Sequence, residues 1–281
     1  MMGYMIFRKC ENNMNRLLIL IVLVLPGCRD SEPEQTPEEI IKQVDPDVII
    51  TDEQAKELSA KPGGLVVLSH INSITDNQAQ ILGTVNYLQL DGVSVLTDQQ
   101  AKGLSQVRIS LEIGLTTLTD SQAKLLNRVK ILKLSSLRQL TDEQAVILGK
   151  KRGALYLNDL STLTTPQALH LGQLETLSLL SIKSITDEQA EALSQVKRNL
   201  WLGLNSITDR QASTLSKVRN LALDHLTNIK DKQAEALSKA PTLSLLGLTA
   251  ITVEQAKNLS KVEDLTIPES LQPLIDKYKN Q

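Results

Sequence analysis

A five-residue motif, Thr-Asp-x-Gln-Ala or a close variant, recurs ten times in this chain of 281 residues. The step between copies is 22 residues, except for a first step of 24 and a fifth step of 23. A fixed period in this range is typical of a solenoid, in which each unit buries its apolar face only against its neighbours. The repeat therefore predicts one elongated domain, although the length alone would allow two compact ones. The copies begin at Thr51, Thr75, Thr97, Thr119, Thr141, Thr164, Thr186, Thr208, Lys230 and Thr252.

Each unit predicts a short strand followed by a short helix. In the unit before the fifth motif, Leu132 and Leu134 flank Lys133, so two side chains point inward and one points outward. Thr141 then begins a helix, because its hydroxyl can accept the N–H three residues on while Gln144 reaches back to the N–H of Thr141. This capping box is present in nine of the ten copies. The alanine that ends the motif is small enough to let the helix lie close to the sheet.

The frame V/L-x-x-L-x-L-x-x-L, seen at Val129, Leu132, Leu134 and Leu137, resembles the leucine-rich repeat over residues 51–267. The resemblance implies an α/β solenoid of about ten repeats, shaped like a horseshoe. Short parallel strands are expected on its concave face and short helices on its convex face.

One position departs from that family. The asparagine or cysteine that normally binds the turn backbone is replaced by an apolar residue in nine units. Buried backbone groups are rarely left unpaired, so we expect small polar residues just after this position, such as Thr116 and Asn205, to act as substitutes. The replaced positions are Ile71, Val93, Leu115, Leu137, Leu160, Ile182, Leu204, Leu226 and Leu248.

Two units have their inward pair one residue later than the others. A longer segment before the strand and a shorter turn after it would accommodate the shift, with Gly114 and Gly203 making the tight turn possible. Both a functional notch and ordinary loop variation are consistent with these units. The shifted pairs are Leu111 with Ile113 and Leu200 with Leu202.

The N-terminus has the pattern of an export signal. Arg16 precedes the apolar run 17–25, which is too short to span a bilayer and is typical of a signal peptide. The following L-P-G-C resembles the bacterial lipobox, which implies cleavage after Gly27 and a diacylglycerol on Cys28. We therefore expect an exported protein that is lipid-anchored to a bacterial membrane, on the periplasmic side or at the cell surface.

Other interpretations of the N-terminus remain open. The run could belong to an ordinary signal peptide with an incidental cysteine, or to a non-exported apolar start, and translation could begin at Met1, Met5 or Met14. The predicted organisation is a signal peptide (1–27), a flexible tether (28–35), an N-terminal cap (36–50), the ten-repeat solenoid (51–267) and a C-terminal cap (268–281).

Composition argues against several kinds of site. The net charge of −2 gives no basic footprint for nucleic acid, and 2% aromatic residues argue against sites that stack sugars or bases. The aspartate after most of the helix-capping residues could bind calcium in principle. Each is better placed to stabilise its own helix, by about 0.3–1 kcal/mol. With no motif that unites a nucleophile, a base and metal ligands, the sequence predicts no cofactor, no metal and no enzyme.

Function is then expected on the surface, and most of all on the concave face. Outward strand residues include Val67, Gln89, Lys133, Tyr156, Ser178, Ala222 and Ser244. Because tyrosine is favoured at hot spots, we expect an unidentified protein to bind there, although solvated strand positions would look the same. The candidate partner-binding residues are Lys133, Tyr156, Asn158, Asp159, Asp224 and His225.

The functional hypothesis is a membrane-anchored, non-catalytic scaffold for protein–protein interaction in the bacterial cell envelope. One alternative is a structural or self-associating envelope protein without a discrete ligand. The other is an enzyme whose site the motifs do not reveal.

Overall fold

A computed structural model describes residues 50–60 and 64–279 of the chain. In that part, ten short strands alternate with eleven helices. All ten strands form one sheet, each parallel to the next and in sequence order. The strands are Leu65–Val67 (β1), Tyr87–Leu90 (β2), Ser110–Ile113 (β3), Ile131–Leu134 (β4), Ala154–Tyr156 (β5), Thr176–Leu179 (β6), Asn199–Leu202 (β7), Asn220–Ala222 (β8), Thr242–Ser244 (β9) and Asp264–Thr266 (β10). The helices are Asp52–Ser59 (α1), Asp76–Leu82 (α2), Asp98–Leu104 (α3), Asp120–Leu126 (α4), Asp142–Leu148 (α5), Thr165–Leu171 (α6), Asp187–Leu193 (α7), Asp209–Leu215 (α8), Asp231–Leu237 (α9), Val253–Leu259 (α10) and Gln272–Lys279 (α11).

This arrangement confirms the predicted leucine-rich-repeat-like solenoid. Each strand pairs with the strand of the next repeat, and each helix packs against the helix of the next repeat. The core lies between the two layers and is almost entirely aliphatic. Leu132 and Leu134 on the strand side are fully buried, as are Ala145 and Leu148 on the helix side.

The shifted units keep their register with their neighbours. Leu111 pairs with Leu132 and Ile113 pairs with Leu134, so the shifted pair still points into the core. The additional residue in the segment before β3 is held in place because the N–H groups of Ile109 and Ser110 both donate to the carbonyl of Asn86, at 3.0 Å.

The two glycines of the shifted units are required for a physical reason other than a left-handed backbone. A Cβ on Gly114 would lie 1.8 Å from the carbonyl oxygen of Asp91, and one on Gly203 would lie 1.7 Å from that of Leu180. No real Cβ approaches an oxygen so closely. Each glycine therefore lets the shortened turn pass against the backbone of the preceding repeat.

The predicted capping boxes are confirmed. In the fifth copy, the Thr141 N–H donates to Oε1 of Gln144 at 3.0 Å, and the Gln144 N–H donates to the Thr141 hydroxyl at 3.1 Å. Lys230 is the exception. Its N–H donates to Gln233 Oε1 at 2.8 Å, but the lysine side chain offers no acceptor in return.

The capping glutamines also make a second bond that the motif alone does not reveal. Nε2 of Gln122 donates to the Leu96 carbonyl at 2.7 Å, and Nε2 of Gln144 donates to the Leu118 carbonyl at 2.5 Å. In every case the acceptor belongs to the preceding repeat and comes just before the residue that caps its helix. Nine glutamines thus form a ladder that fixes each helix start to the previous one. They are Gln78, Gln100, Gln122, Gln144, Gln167, Gln189, Gln211, Gln233 and Gln255.

The turns that lack the family's asparagine are satisfied mainly by their own backbone. The Leu160 N–H donates to the carbonyl three residues earlier, that of Leu157, at 3.1 Å. The expected help from small polar residues is correct for Thr116, whose hydroxyl donates to the Ser94 carbonyl at 3.3 Å. Asn205 contributes, among the bonds of the described residues, only its backbone N–H, which donates to the Lys183 carbonyl at 3.1 Å.

One core position holds a lysine. Lys151 occupies the place that Val129 fills one repeat earlier, and it is 5% exposed. Its ammonium group donates to the carbonyls of Asn127, at 3.2 Å, and of Val129. Burial lowers the pKa of Lys151 to about 8. A buried cation thus replaces an aliphatic side chain in this layer.

The C-terminal end of the array is covered by α11. Ile275 of this helix is 1% exposed, and Leu271 and Leu274 pack against the same core. No helix within residues 50–60 and 64–279 combines the length and apolarity needed to cross a membrane.

The glutamine ladder can be tested at Gln144. Gln144→Ala leaves the Leu118 carbonyl and the Thr141 N–H without partners, so we expect the free energy of unfolding to fall by about 2–4 kcal/mol. Gln54→Ala is the matched control, since Gln54 makes only the capping bond among the described residues and should lose about 1 kcal/mol or less. Urea denaturation followed by circular dichroism measures both. Equal losses would mean that the bond between repeats contributes nothing.

The buried lysine predicts an unusual pH dependence. The folded-state pKa of about 8 lies below the ordinary value of 10.5, so between these pH values the unfolded chain holds the extra proton. The free energy of unfolding should therefore rise from pH 8 to pH 10, by on the order of 2 kcal/mol relative to Lys151→Met. Below pH 8 both states are protonated and the full penalty remains. Urea denaturation at several pH values compares the two proteins, and parallel profiles would contradict the prediction.

Candidate partner-binding site

The concave face carries an outward side chain from the third position of each strand. The strand pairing places these ten residues in register, one per repeat. Adjacent parallel strands lie about 4.8 Å apart, so neighbours in this row are within reach of each other. The row reads Val67, Gln89, Glu112, Lys133, Tyr156, Ser178, Trp201, Ala222, Ser244 and Thr266.

Four members of the row form an interacting group, which we call the aromatic cluster: Glu112, Lys133, Tyr156 and Trp201. Lys133 Nζ lies 2.9 Å from Glu112 Oε2 and 5.7 Å from the centre of the Tyr156 ring. The Tyr156 and Trp201 rings stack with 5.9 Å between centroids and 24° between planes. Ser178 lies between them in the row and is only 2% exposed. The result is a platform with a charged end and an aromatic end.

Half of this cluster was missed by sequence reasoning. Glu112 and Trp201 belong to the two shifted units, and they were left out of the predicted outward row. The signal was nevertheless present, because the residue between a shifted inward pair must point outward. Lys133 and Tyr156 were predicted, and the structure places them side by side on β4 and β5.

The predicted polar residues after the strands fall into two groups. Asn158 lies beside the cluster, and its Oδ1 accepts a bond from the Ser178 hydroxyl at 2.6 Å. Asp159 follows it and is exposed. Asp224 accepts bonds from the Ser244 hydroxyl at 2.5 Å and from the Leu246 N–H at 3.0 Å.

His225, next to Asp224, is exposed and points toward Lys183, with 3.4 Å between its Nδ1 and the lysine Nζ. Asp224 and His225 follow β8, which is three strands from β5, or about 14 Å. The predicted residues therefore divide into a central group and a separate pair.

The glycines of the shifted units open gaps beside this face. Because Gly114 has no side chain, the Ser135 hydroxyl reaches Oδ1 of Asp91, two repeats away, at 3.2 Å. The contact between Lys183 and His225 spans Gly203 in the same way. Each gap is thus bridged by polar side chains.

A polar strip runs alongside the aromatic end of the cluster. Asn199 Nδ2 donates to the Thr176 hydroxyl at 2.9 Å, and Asn220 Nδ2 donates to Asn199 Oδ1 at 2.6 Å. These three residues begin β6, β7 and β8, two positions before the outward row. A ligand on Trp201 would therefore also meet amide and hydroxyl groups.

Aspartates that follow the capping threonines link neighbouring repeats by accepting hydrogen bonds. The Thr97 hydroxyl donates to Asp76 Oδ1, and the Thr208 hydroxyl donates to Asp187 Oδ1, each at 3.1 Å. The same contact joins Thr164 to Asp142, at 3.1 Å. Within residues 50–60 and 64–279, no group of three or more His, Cys, Asp or Glu side chains could hold a metal ion. The geometry of the concave face suits binding through side-chain contacts.

The strand order and the repeat give the fold. It is a leucine-rich-repeat-like solenoid. No protein-family model matches the sequence, and no curated protein matches it either. Solved structures with a similar course of the chain include an internalin (inlF) of Listeria monocytogenes, with 16% identity, a TM-score of 0.47, and coverage of 87% of this chain and 83% of the internalin.

Two further structures are similar at the same level. Internalin C2 (inlC2) of Listeria monocytogenes has 22% identity and a TM-score of 0.45, with coverage of 77% of this chain and 91% of its own. The leucine-rich repeat-containing protein LegL7 of Legionella pneumophila has 14% identity and a TM-score of 0.49, with coverage of 76% and 86%. At such identities these proteins carry no information about what this chain binds.

Proposed function

We propose that this chain is a non-catalytic protein-interaction scaffold, held at a bacterial membrane by a lipid on Cys28, and that the aromatic cluster is its partner-binding surface. The proposal combines a binding surface on the solenoid with a membrane location inferred from the N-terminal sequence. Residues 1–49, which include the predicted signal peptide and Cys28, lie outside the described residues.

The position of Trp201 carries the proposal for the concave face. The chain has one tryptophan, one phenylalanine and four tyrosines. The core between sheet and helices is aliphatic, so Trp201 on the outward row completes no core layer. A large aromatic side chain on a half-exposed sheet face is typical of a binding hot spot, as is a neighbouring tyrosine. The charges of the Lys133–Glu112 pair beside the rings would fix the orientation of the bound partner.

The N-terminal sequence supports the membrane address. Cys28 follows a positively charged residue, an apolar run and a small residue, which is the order expected of a lipoprotein signal. A diacylglycerol supplies two acyl chains, and two lipid signals are what stable anchoring requires. The solenoid would then be displayed on the export side.

Self-association through the ends of the array is a weaker alternative. Stacking of solenoids end to end at the C-terminus would have to displace α11, whose Ile275 is buried against the last repeats. Partner binding through the concave face requires no such rearrangement.

Photo-crosslinking tests the concave site. A crosslinking amino acid at Asp159, beside the aromatic cluster, should give one defined protein adduct in membranes of the native host. The same amino acid at Leu169, which is 55% exposed on α6, should not give that adduct. Trp201→Ala should reduce the adduct by about tenfold or more, since loss of a hot spot has effects of this size. Thr266→Ala, on the same row at β10, is the control and should leave it unchanged. Identical adducts from both probe positions, or no effect of Trp201→Ala, would rule out this surface.

Lipidation has a separate test. Cys28→Ala should abolish the mass increase of a diacylglycerol and move the protein out of the tightly held membrane fraction. Cys10→Ala is the matched control, since Cys10 precedes the predicted cleavage site and should change neither property. Mass spectrometry and membrane fractionation measure the two effects. An unchanged mass in Cys28→Ala would mean that this cysteine carries no lipid.

A further inference from the structure

The two edges of the solenoid carry opposite charge. The nine turns that lead from helix α2 through α10 to the following strand contain twelve Lys or Arg residues and only two acidic ones. At the other edge, where the helices begin, nine of the ten helices α1–α10 have an acidic residue in the first turn. The net charge of −2 conceals this separation.

Eleven of the twelve basic residues are exposed, and we call them the basic edge. Among the described residues, only Lys217 of this set forms an ion pair, with 3.6 Å between its Nζ and Oε1 of Glu191. The basic edge consists of Arg108, Arg128, Lys130, Lys150, Arg152, Lys197, Arg198, Lys217, Arg219, Lys239 and Lys261.

Stabilisation of helix ends does not account for the basic edge. A cation assists a helix dipole only within the last turn. Helices α5, α7 and α8 have no basic residue in the last turn, yet the turns that follow them hold two or three each. Six members lie four or five residues beyond the end of the helix, next to the start of a strand. They are Arg108, Lys130, Arg152, Lys197, Arg198 and Arg219.

The basic edge is arranged to meet a flat surface. Strands repeat every 4.8 Å or so, whereas packed helices need about 8–10 Å, so the array bends about an axis parallel to its strands. The ends of successive strands therefore stay near one plane while the array curves within it. The six residues beside the strands run from β3 to β8, a length of about 24 Å.

We infer that the basic edge docks on an anionic lipid surface. The inference rests on the proposed membrane anchor only for the choice of a lipid as the anionic partner. Twenty-one residues separate Cys28 from Ile50, and they reach at most about 70 Å, so the edge of a lipid-held array can lie on the same bilayer. Each basic side chain that lies within a Debye length of the membrane, about 8 Å, is attracted to the anionic headgroups, and these attractions add up. A flat row of them would hold the array upright with its strands along the membrane normal.

A pair of fluorescent probes tests the orientation of the full chain on vesicles. One non-natural fluorescent amino acid replaces Gln173, in the middle of the basic edge, and in a second protein it replaces Ser184, at the opposite edge just after β6. Both side chains are exposed. Headgroup spin labels quench nearby probes in phosphatidylglycerol–phosphatidylcholine vesicles. The probe at 173 should be quenched at least about threefold more than the probe at 184, and 0.5 M salt should remove the difference.

Two matched charge reversals identify the residues responsible. Arg152→Glu with Lys197→Glu and Arg219→Glu should bring the quenching at 173 down to the level at 184. Lys56→Glu with Lys102→Glu and Lys124→Glu changes the net charge equally, but these residues lie on the convex helices, so the difference should persist. If the edge reversal unfolds the chain, glutamine at the same three positions replaces it. A preserved difference in the edge variant would overturn the inference.

The remaining outcomes separate the edge from the anchor. Association with anionic vesicles but not with pure phosphatidylcholine would support the edge and contradict the lipid anchor. Association with both kinds, with equal quenching at 173 and 184, would overturn the edge and leave the anchor intact. No association with either would overturn both. Release from anionic vesicles by a single-stranded oligonucleotide, at a tenth of the lipid phosphate concentration, would assign the edge to nucleic acid and overturn the lipid surface.

Discussion

The bond from each capping glutamine to the carbonyl of the previous repeat is the constraint on which the array depends. Thr141 and Gln144 satisfy each other locally, and among the described residues the Gln144 amide N–H donates to one acceptor, the Leu118 carbonyl. Because the side chain is 6% exposed, water cannot readily replace that acceptor. The helix start, the spacing of repeats and the order of layers are thereby fixed together. In this solenoid a glutamine ladder on the helix side accompanies turns that lack the family's asparagine.

Apart from the stacking of the repeats, which the 22-residue period predicted, the correct predictions from the sequence were short in range. The capping boxes, the inward Leu132 and Leu134 and the strand–helix alternation follow from residues within a few positions of each other. The glutamine ladder, the stacking of Tyr156 on Trp201 and the reach of Ser135 to Asp91 join residues that are 26, 45 and 44 positions apart. Such contacts depend on the register between neighbouring repeats, and a repeated motif does not specify that register. The basic edge was overlooked for another reason, since a net charge is a sum without positions.

The two proposed surfaces require different things of the sequence of each repeat. The outward row of the concave face takes one side chain per strand, and its aromatic cluster needs particular residues at β3, β4, β5 and β7. The basic edge tolerates Lys or Arg at several turn positions, because attraction to a charged plane depends on number and proximity. With that edge on a membrane and the strands upright, the concave face would open sideways. A partner would then approach parallel to the bilayer.

The ladder also explains how such a chain can change length. Every internal repeat brings one glutamine donor for its predecessor and one carbonyl acceptor for its successor. In-frame duplication or deletion of 22 residues would thus leave no buried amide unmatched, whichever internal repeat is copied or lost. Selection could vary the repeat number, and so the breadth of the concave face, in single genetic steps. Only the end units, where the pattern has no neighbour, would resist that kind of change.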